Sequence, residues 1–207
     1  MSTKSKQISD FVGYRINSFV SSSNESAVRA MLAQLRRSAG KHPSANPAVW
    51  EATFKNLPNE LYGSGSELSY AEVAIHMALT LFAIHQQSKD LKSQLMHEDG
   101  ISIGKALGLL IKAKGKDSYE SIKKRFDRIA TADSLNELSN HLRSIVKLLR
   151  SDGITLDYKM LSMQLYNYQY EDNREAIRLS WARDFYVTAS NKKMTKIKST
   201  KKKGRIV

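Results

Sequence analysis

Ser69-Tyr70-Ala71-Glu72-Val73-Ala74-Ile75-His76-Met77-Ala78-Leu79-Thr80-Leu81-Phe82-Ala83-Ile84-His85-Gln86-Gln87-Ser88 opens on a helix-start signal and then runs apolar nearly all round. Ser69 and Glu72 have the capping-box spacing, at which the two side chains satisfy otherwise unpaired backbone donors at a helix start. A helix that is hydrophobic on every side has no face to give to water, so this one is expected at the buried centre with the others packed around it. Its longest apolar run, Val73 to Ile84, contains His76 and Thr80 and is too short to span a bilayer. No membrane segment is expected.

Start and stop signals recur outward from this stretch. Asp117-x-x-Glu120 and Ser134-x-x-Glu137 have the same capping-box form, and Asn46 followed by Pro47 suits an N-cap with proline at the first helical position. Gly40, Gly115 and Gly153 suit the left-handed turn that ends a helix. The pattern predicts helices near 6–20, 25–38, 47–55, 69–89, 102–113, 118–131, 135–151, 157–168 and 172–188, with surface loops at 40–46 and 56–67. Strand signals hardly appear. The expected fold is all-α, a compact bundle of about nine helices with a basic face. With few prolines, short connections and no internal repeat, residues 1–191 read as one helical domain, which a chain of 207 residues can build as one core or two small lobes.

Charge is unevenly spread. Lysine and arginine number 33 against 20 acids, a formal net charge of +13. From Lys192 onward there are eight basic residues and no acid, so the body keeps +5 (25 − 20). Residues 192–207 have too few large apolar side chains to form a core and are expected to be a basic tail that stays disordered in isolation. Absence of cysteine removes disulfides, thiolate nucleophiles and thiolate metal sites, and gives no sign of an oxidising compartment. Met1 to Asp10 is polar and lacks the apolar core of a signal peptide, so a cytoplasmic rather than a secreted protein is expected.

Within the body, the bases concentrate between Lys105 and Arg150, eleven of them against five acids. At about 100° per residue, Leu142, Ile145, Val146 and Leu149 share one arc, while Arg143, Lys147 and Arg150 cluster about a third of a turn away. The preceding helix repeats the design, with Ile122, Phe126 and Ile129 apolar and Lys124, Arg125 and Arg128 beside them. Two such helices can form a continuous basic track for a polyanion. The alternative is an ordinary solvated face, since charged residues normally stay outside the core.

No catalytic constellation accompanies this surface. His76 and His85 are nine residues apart, on opposite sides of one helix, and His42, His97 and His141 lie in separate segments without an evident acidic partner. Gly100-Ile101-Ser102-Ile103-Gly104-Lys105 lacks the spacing and the preceding strand of a phosphate-binding loop. Asp152, Asp157 and Asp184 read as caps or ion-pair partners. Aromatic residues crowd the C-terminal third, namely Tyr158, Tyr166, Tyr168, Tyr170, Trp181, Phe185 and Tyr186. Bases of single-stranded nucleic acid stack on such rings, but Ile177, Trp181 and Phe185 at i, i+4, i+8 favour a packing seam. No enzyme, metal or cofactor is expected.

The order of several short segments is informative as a whole: Ala74-Ile75-His76 through Ala83-Ile84-His85-Gln86-Gln87-Ser88; Ile101-Ser102-Ile103-Gly104-Lys105-Ala106-Leu107; Lys124-Arg125-Phe126-Asp127-Arg128; His141-Leu142-Arg143; Leu148-Leu149-Arg150; Ile154-Thr155-Leu156-Asp157-Tyr158; and Trp181-Ala182-Arg183-Asp184-Phe185-Tyr186. Over roughly residues 25–190 the chain resembles the CasB family, the small subunit of the type I-E CRISPR surveillance complex Cascade. The resemblance implies a non-enzymatic helical protein in prokaryotic antiviral defence, present as two copies in a crRNA-guided complex beside its large and backbone subunits. Its members help to hold the target and displaced DNA strands of the R-loop. Family basic sites fall on Arg37 (in Leu35-Arg36-Arg37), Lys105, Arg125 and Arg143, where Lys105 replaces an arginine often found there and loses its planar fork. The lysine-rich tail is outside the family pattern. The candidate phosphate contacts are therefore Arg36, Arg37, Lys105, Lys124, Arg125, Arg128, Arg143 and Lys147, with Trp181 and Phe185 in the core. A free-standing adaptor for RNA or an acidic protein is the rival expectation, and it would bind its polyanion without other subunits.

Overall fold

The computed structural model describes residues 3–190. Among these, nine α-helices follow in order: α1 (Thr3–Ser21), α2 (Glu25–Ser38), α3 (Trp50–Phe54), α4 (Tyr70–His85), α5 (Ile103–Lys114), α6 (Tyr119–Ala130), α7 (Leu135–Ser151), α8 (Tyr158–Tyr168) and α9 (Glu171–Ser190). The only extended pairing among the described residues is a single parallel bridge between His97 and Leu156. No described helix is long and apolar enough to cross a membrane. The expectation for 192–207 lies outside the described residues.

α4 is the centre that its sequence demands. All its residues except Tyr70 and Val73 are buried, and α1, α2, α3, α7 and α8 pack around it. Its N-terminus is closed by the expected capping box: Glu72 N donates to Ser69 Oγ at 3.0 Å, while Glu72 Oε2 accepts from Ser69 N at 2.7 Å and from Gly63 N at 3.1 Å. The buried carboxylate thus finds two backbone donors at the positive end of a helix. Its C-terminus is met by cations from two other helices. Arg150 Nη1 donates to Ile84 O at 3.1 Å, and Arg36 Nη1 approaches Ala83 O at 3.5 Å.

Other starts depart from expectation. Residues 47–55 form a 3-10 turn, Pro47–Val49, followed by the five-residue α3, because Asn46 Oδ1 accepts from Ala48 N and sets a tight first turn. The box at Asp117 and Glu120 does not form. Lys116–Ser118 is a 3-10 turn, and α6 begins after Ser118 without a side-chain cap. At α7, Ser134 Oγ accepts from Glu137 N as expected, but Glu137 Oε2 reaches back to Asp133 N rather than to the cap itself. Gly40, Gly115 and Gly153 all take positive φ after their helices.

The C-terminal half is organised by a close helix pair. A Cβ at Gly104 would collide with the Trp181 carbonyl oxygen, and one at Gly108 would lie 2.6 Å from Thr188 Cβ, so only glycines one turn apart let α5 and α9 approach this closely. Trp181 and Phe185 are fully buried in that seam. Phe185 stacks on Phe126 of α6 at 4.5 Å, and Trp181 Nε1 donates to Gln164 Oε1 of α8 at 2.9 Å. Ser102, the N-cap of α5, donates to Asp184 of α9. Of the seven C-terminal aromatics, only Tyr170 and Tyr186 are exposed. The others are packing residues.

His76 and His85 are buried on α4, and burial pushes each imidazole down to about 4 from 6.5, against smaller opposing contributions from the backbone of Ser38 and Lys41 for His76 and of Ile154 for His85. Both are neutral at neutral pH. An unfolded chain protonates them near 6.5 whereas the fold resists until about 4, so stability is full above about pH 7 and declines as pH falls through that window. Each histidine contributes a loss on the order of 3 kcal/mol. Urea midpoints measured from pH 7.5 to 4 should fall accordingly; a flat profile contradicts the buried-neutral assignment.

Candidate nucleic-acid interface

Arg36 of α2 and Arg150 of α7 both reach the C-terminal end of α4, on which each of the two helices packs. Arg150 also donates to Gln87 Oε1 at 2.6 Å. Two turns earlier on α7, the Arg143 side chain lies against Gly40 in the turn after α2, with Nη1 2.6 Å from where a Cβ would stand. Lys147, four residues beyond Arg143, shares its face and is exposed. Arg37 is exposed on the last turn of α2.

A four-residue turn, 131–134, folds α7 back against α6. Arg125 Nη1 donates to Ser144 Oγ at 2.9 Å, which ties the basic side of α6 to the residue next to Arg143. Lys124 and Arg128 flank Arg125 and are exposed. The two basic arcs therefore join through α7. Lys105 stands apart in the first turn of α5, where its Nζ donates to Gly100 O at 3.2 Å, nine residues or about 14 Å of helix from Lys114.

Ion pairing divides the bases of the chain, and the candidates share the unpaired class with others such as Lys41, Lys89, Lys112 and Lys116, none of which has an ion pair among the described residues. Among the described residues, Lys114 pairs with Asp152 at 2.9 Å and Lys123 with Asp127 at 2.7 Å, and Lys92, Lys159, Arg174 and Arg178 also have acidic partners. None of the eight candidates takes part in an ion pair among the described residues. Burial, then the neighbouring Arg150 and Arg37, hold the Arg36 guanidinium below its ordinary pKa. Arg36 thus lies within Coulombic reach of two other guanidiniums and has no ion pair among the described residues. Arg36 is half-buried and directed at α4, so of the eight it is the one with a structural bond to a helix end. Arg143 Nε is buried and lacks a hydrogen-bond partner.

Two histidines without an evident acidic partner in the sequence do have acids near them: His97 Nε2 lies 3.4 Å from Asp99 Oδ1, and His141 Nε2 lies 3.4 Å from Glu137 Oε1. His97, Asp99 and Asp157 bring possible metal ligands within 4.8 Å of one another. Each is already engaged. Tyr158 N donates to His97 Nδ1 at 3.2 Å, Gly100 N and Met160 N donate to the Asp157 carboxylate at 2.8 and 2.9 Å, and Lys159 pairs with Asp99 at 3.0 Å. The cluster caps α8 and pins the 96–101 loop to it.

These features define an all-α domain with a surface of unneutralised bases drawn from three helices. Residues 31–186 match the family model described as CRISPR-associated protein Cse2, and the chain belongs to this family. It is similar to CasB from Thermobifida fusca, known from a crystal structure, with 33% identity, a TM-score of 0.70, and 87% of this chain and 98% of that one covered. A chain of a CRISPR RNA-guided surveillance complex shares the fold at 20% identity and a TM-score of 0.67, covering 89% of this chain and 95% of its own length. No match is found among curated proteins.

The two kinds of base on α7 should respond differently to removal. Arg150→Met strips a charged donor from a buried helix end and should cost about 1–3 kcal/mol, whereas Lys147→Met, on the same helix and exposed, should change stability by no more than about 0.5 kcal/mol. Thermal denaturation of the two variants distinguishes them; equal losses contradict the capping role.

Proposed function

We propose that the chain is the non-catalytic small subunit of a type I-E Cascade complex, working in the prokaryotic cytoplasm as two copies beside the large and backbone subunits. In this reading its basic seam holds the target and displaced DNA strands while the crRNA reads the sequence. The supporting observation is that basic helices α6 and α7 are tied together by the bond from Arg125 to Ser144, with Arg143 against the turn after α2 and none of these bases in an ion pair among the described residues. Phosphates supply the missing negative charge. Replacing a DNA duplex by an RNA–DNA hybrid is nearly balanced in free energy, so a few backbone contacts are enough to shift it. Backbone contacts also carry no sequence information, which suits a protein that serves any guide.

Arg37, Arg125, Arg128, Arg143, Lys124 and Lys147 are the proposed phosphate contacts of the seam, and Lys105 a separate one at the start of α5. Arg36 contributes its charge while holding α4. Membership of the family and similarity to a CasB of known structure favour this reading over a free-standing adaptor, which has no comparable support.

Reversing Arg125 and Arg143 to Glu tests it against a matched control, reversal of Lys202 and Lys203, which changes net charge by the same amount. Side chains fixed on packed helices present charge in a defined register and have little conformational entropy left to lose on binding. R-loop lifetime on matched DNA at fixed salt should shorten far more for the helix pair, with crRNA binding and assembly retained. Equal effects from the two pairs would mean that only total charge matters.

A further inference from the structure

Between the last turn of α1, one face of α2 and the loop that follows α4 lies a cleft of about 440 Å³. Along α2 its lining changes in character, from Glu25 at the first turn through apolar Val28 and Leu32 to Arg36, a spacing that keeps all four on one side of the helix. Leu91 of the loop adds to the apolar part, and Lys89 to the Arg36 end. The cleft is built before anything enters it. The buried Gln86 amide donates to Lys89 O and to Gln94 O, both at 3.1 Å, while its oxygen accepts from Met96 N at 2.9 Å, so one side chain holds the loop in shape. Lys92 Nζ then reaches Glu25 Oε1 at 2.9 Å and ties the loop to α2. A wall already ordered costs little to use in binding.

Charge is matched at one end of the cleft and not at the other. Glu25 pairs with Arg29 at 3.3 Å and with Lys92, and Asp90 turns its carboxylate to its own loop, where Oδ1 accepts from Lys92 N, Ser93 N and Ser93 Oγ. Arg36 and Lys89 have no ion pair among the described residues. We propose that the cleft docks a segment of a neighbouring protein subunit that carries an apolar side chain beside a carboxylate, with the apolar group against Val28, Leu32 and Leu91 and the carboxylate on Arg36 and Lys89. The inference rests on the reading of the chain as a subunit of a larger complex and gives the chemistry of one of its partner contacts. A nucleic-acid strand fits less well, because it carries negative charge at every nucleotide and would run past Glu25 and Asp90 as well as past the bases. A free anion would satisfy Arg36 and leave the apolar lining in water. A single acid next to an apolar group complements the whole cleft, and complementarity of this kind selects one partner over others.

The test measures binding of the full chain to the crRNA-loaded complex assembled without its small subunit, in the absence of target DNA. Lys89→Glu puts an acid into the wall that Arg36 shares and should weaken this association by at least about tenfold. Leu91→Ser, at a partly buried position, removes apolar lining without changing charge and should weaken it too. Lys116→Glu makes the same charge change as Lys89→Glu at an exposed position outside the cleft and should leave association unaltered. Melting curves confirm that the variants fold, and in the unaltered chain amide exchange over residues 86–92 should slow on assembly. Equal association by the unaltered chain and every variant, or no slowing of exchange, overturns the cleft and leaves the subunit reading standing. An effect of Lys89→Glu without one of Leu91→Ser reduces the occupant to a bare anion, and a loss of single-stranded DNA binding by Lys89→Glu with association intact makes it a phosphate; either removes the protein segment. Failure of the unaltered chain to join the complex overturns the subunit reading and this inference with it.

Discussion

The carbonyl oxygens of Ala83 and Ile84 end a helix that has almost no side open to water, and the groups that reach them are guanidiniums from two other helices. The C-terminus of a helix carries the equivalent of about half a negative charge, so a cation is the fitting partner. Because Arg36 belongs to α2 and Arg150 to α7, satisfying this end of α4 also fixes both helices on α4. On the proposed reading Arg37, Arg143 and Lys147 of these two helices form one basic surface, to which the bond from Arg125 to Ser144 adds α6. A demand of the core thereby arranges the charge of the exterior.

That arrangement has a local electrostatic cost. Arg150 and Arg37 repel Arg36, whose lowered pKa records first its burial and then that repulsion. The chain has carboxylates enough to neutralise such a group, as Asp152 and Asp127 do for Lys114 and Lys123 close by. None forms an ion pair with Arg36, Arg37 or Arg150 among the described residues. On the proposed reading an external polyanion would relieve the repulsion, with release of counterions from the nucleic acid adding to the binding free energy.

Much of this is legible in the chain because helix signals are local. The all-apolar run after Ser69 identifies the central helix, glycines mark the stops, and the i, i+4, i+8 spacing of Ile177, Trp181 and Phe185 marks a seam whose two aromatic members are core. Local signals mislead where two overlap: Asp117 and Glu120 have capping spacing, but the Gly115 turn feeds a 3-10 segment that moves the helix start past Asp117. Long-range partners are beyond reach. Nothing in sequence ties Arg36 to Ala83, forty-seven residues away, so a structural cation reads there only as a phosphate contact. His97 finds Asp99 and the Tyr158 amide through a bridge to Leu156, and the cleft beside Arg36 exists only because three separated segments meet. Which lysines find an acid, as Lys114 and Lys123 do, also requires the fold.

The most direct measurement is the salt dependence of single-stranded DNA binding by the full chain, compared with variants that neutralise unpaired or paired bases. For every phosphate that a variant no longer neutralises, the slope of log K against log salt should fall by about 0.7 for a single strand. Replacing Arg125 and Arg143 with Gln is expected to lower the slope by about 1.4 in total, while the same change at the ion-paired Lys114 and Lys123 should leave it unchanged. Equal reductions from both pairs, or a slope already flat in the unaltered protein, would contradict the account.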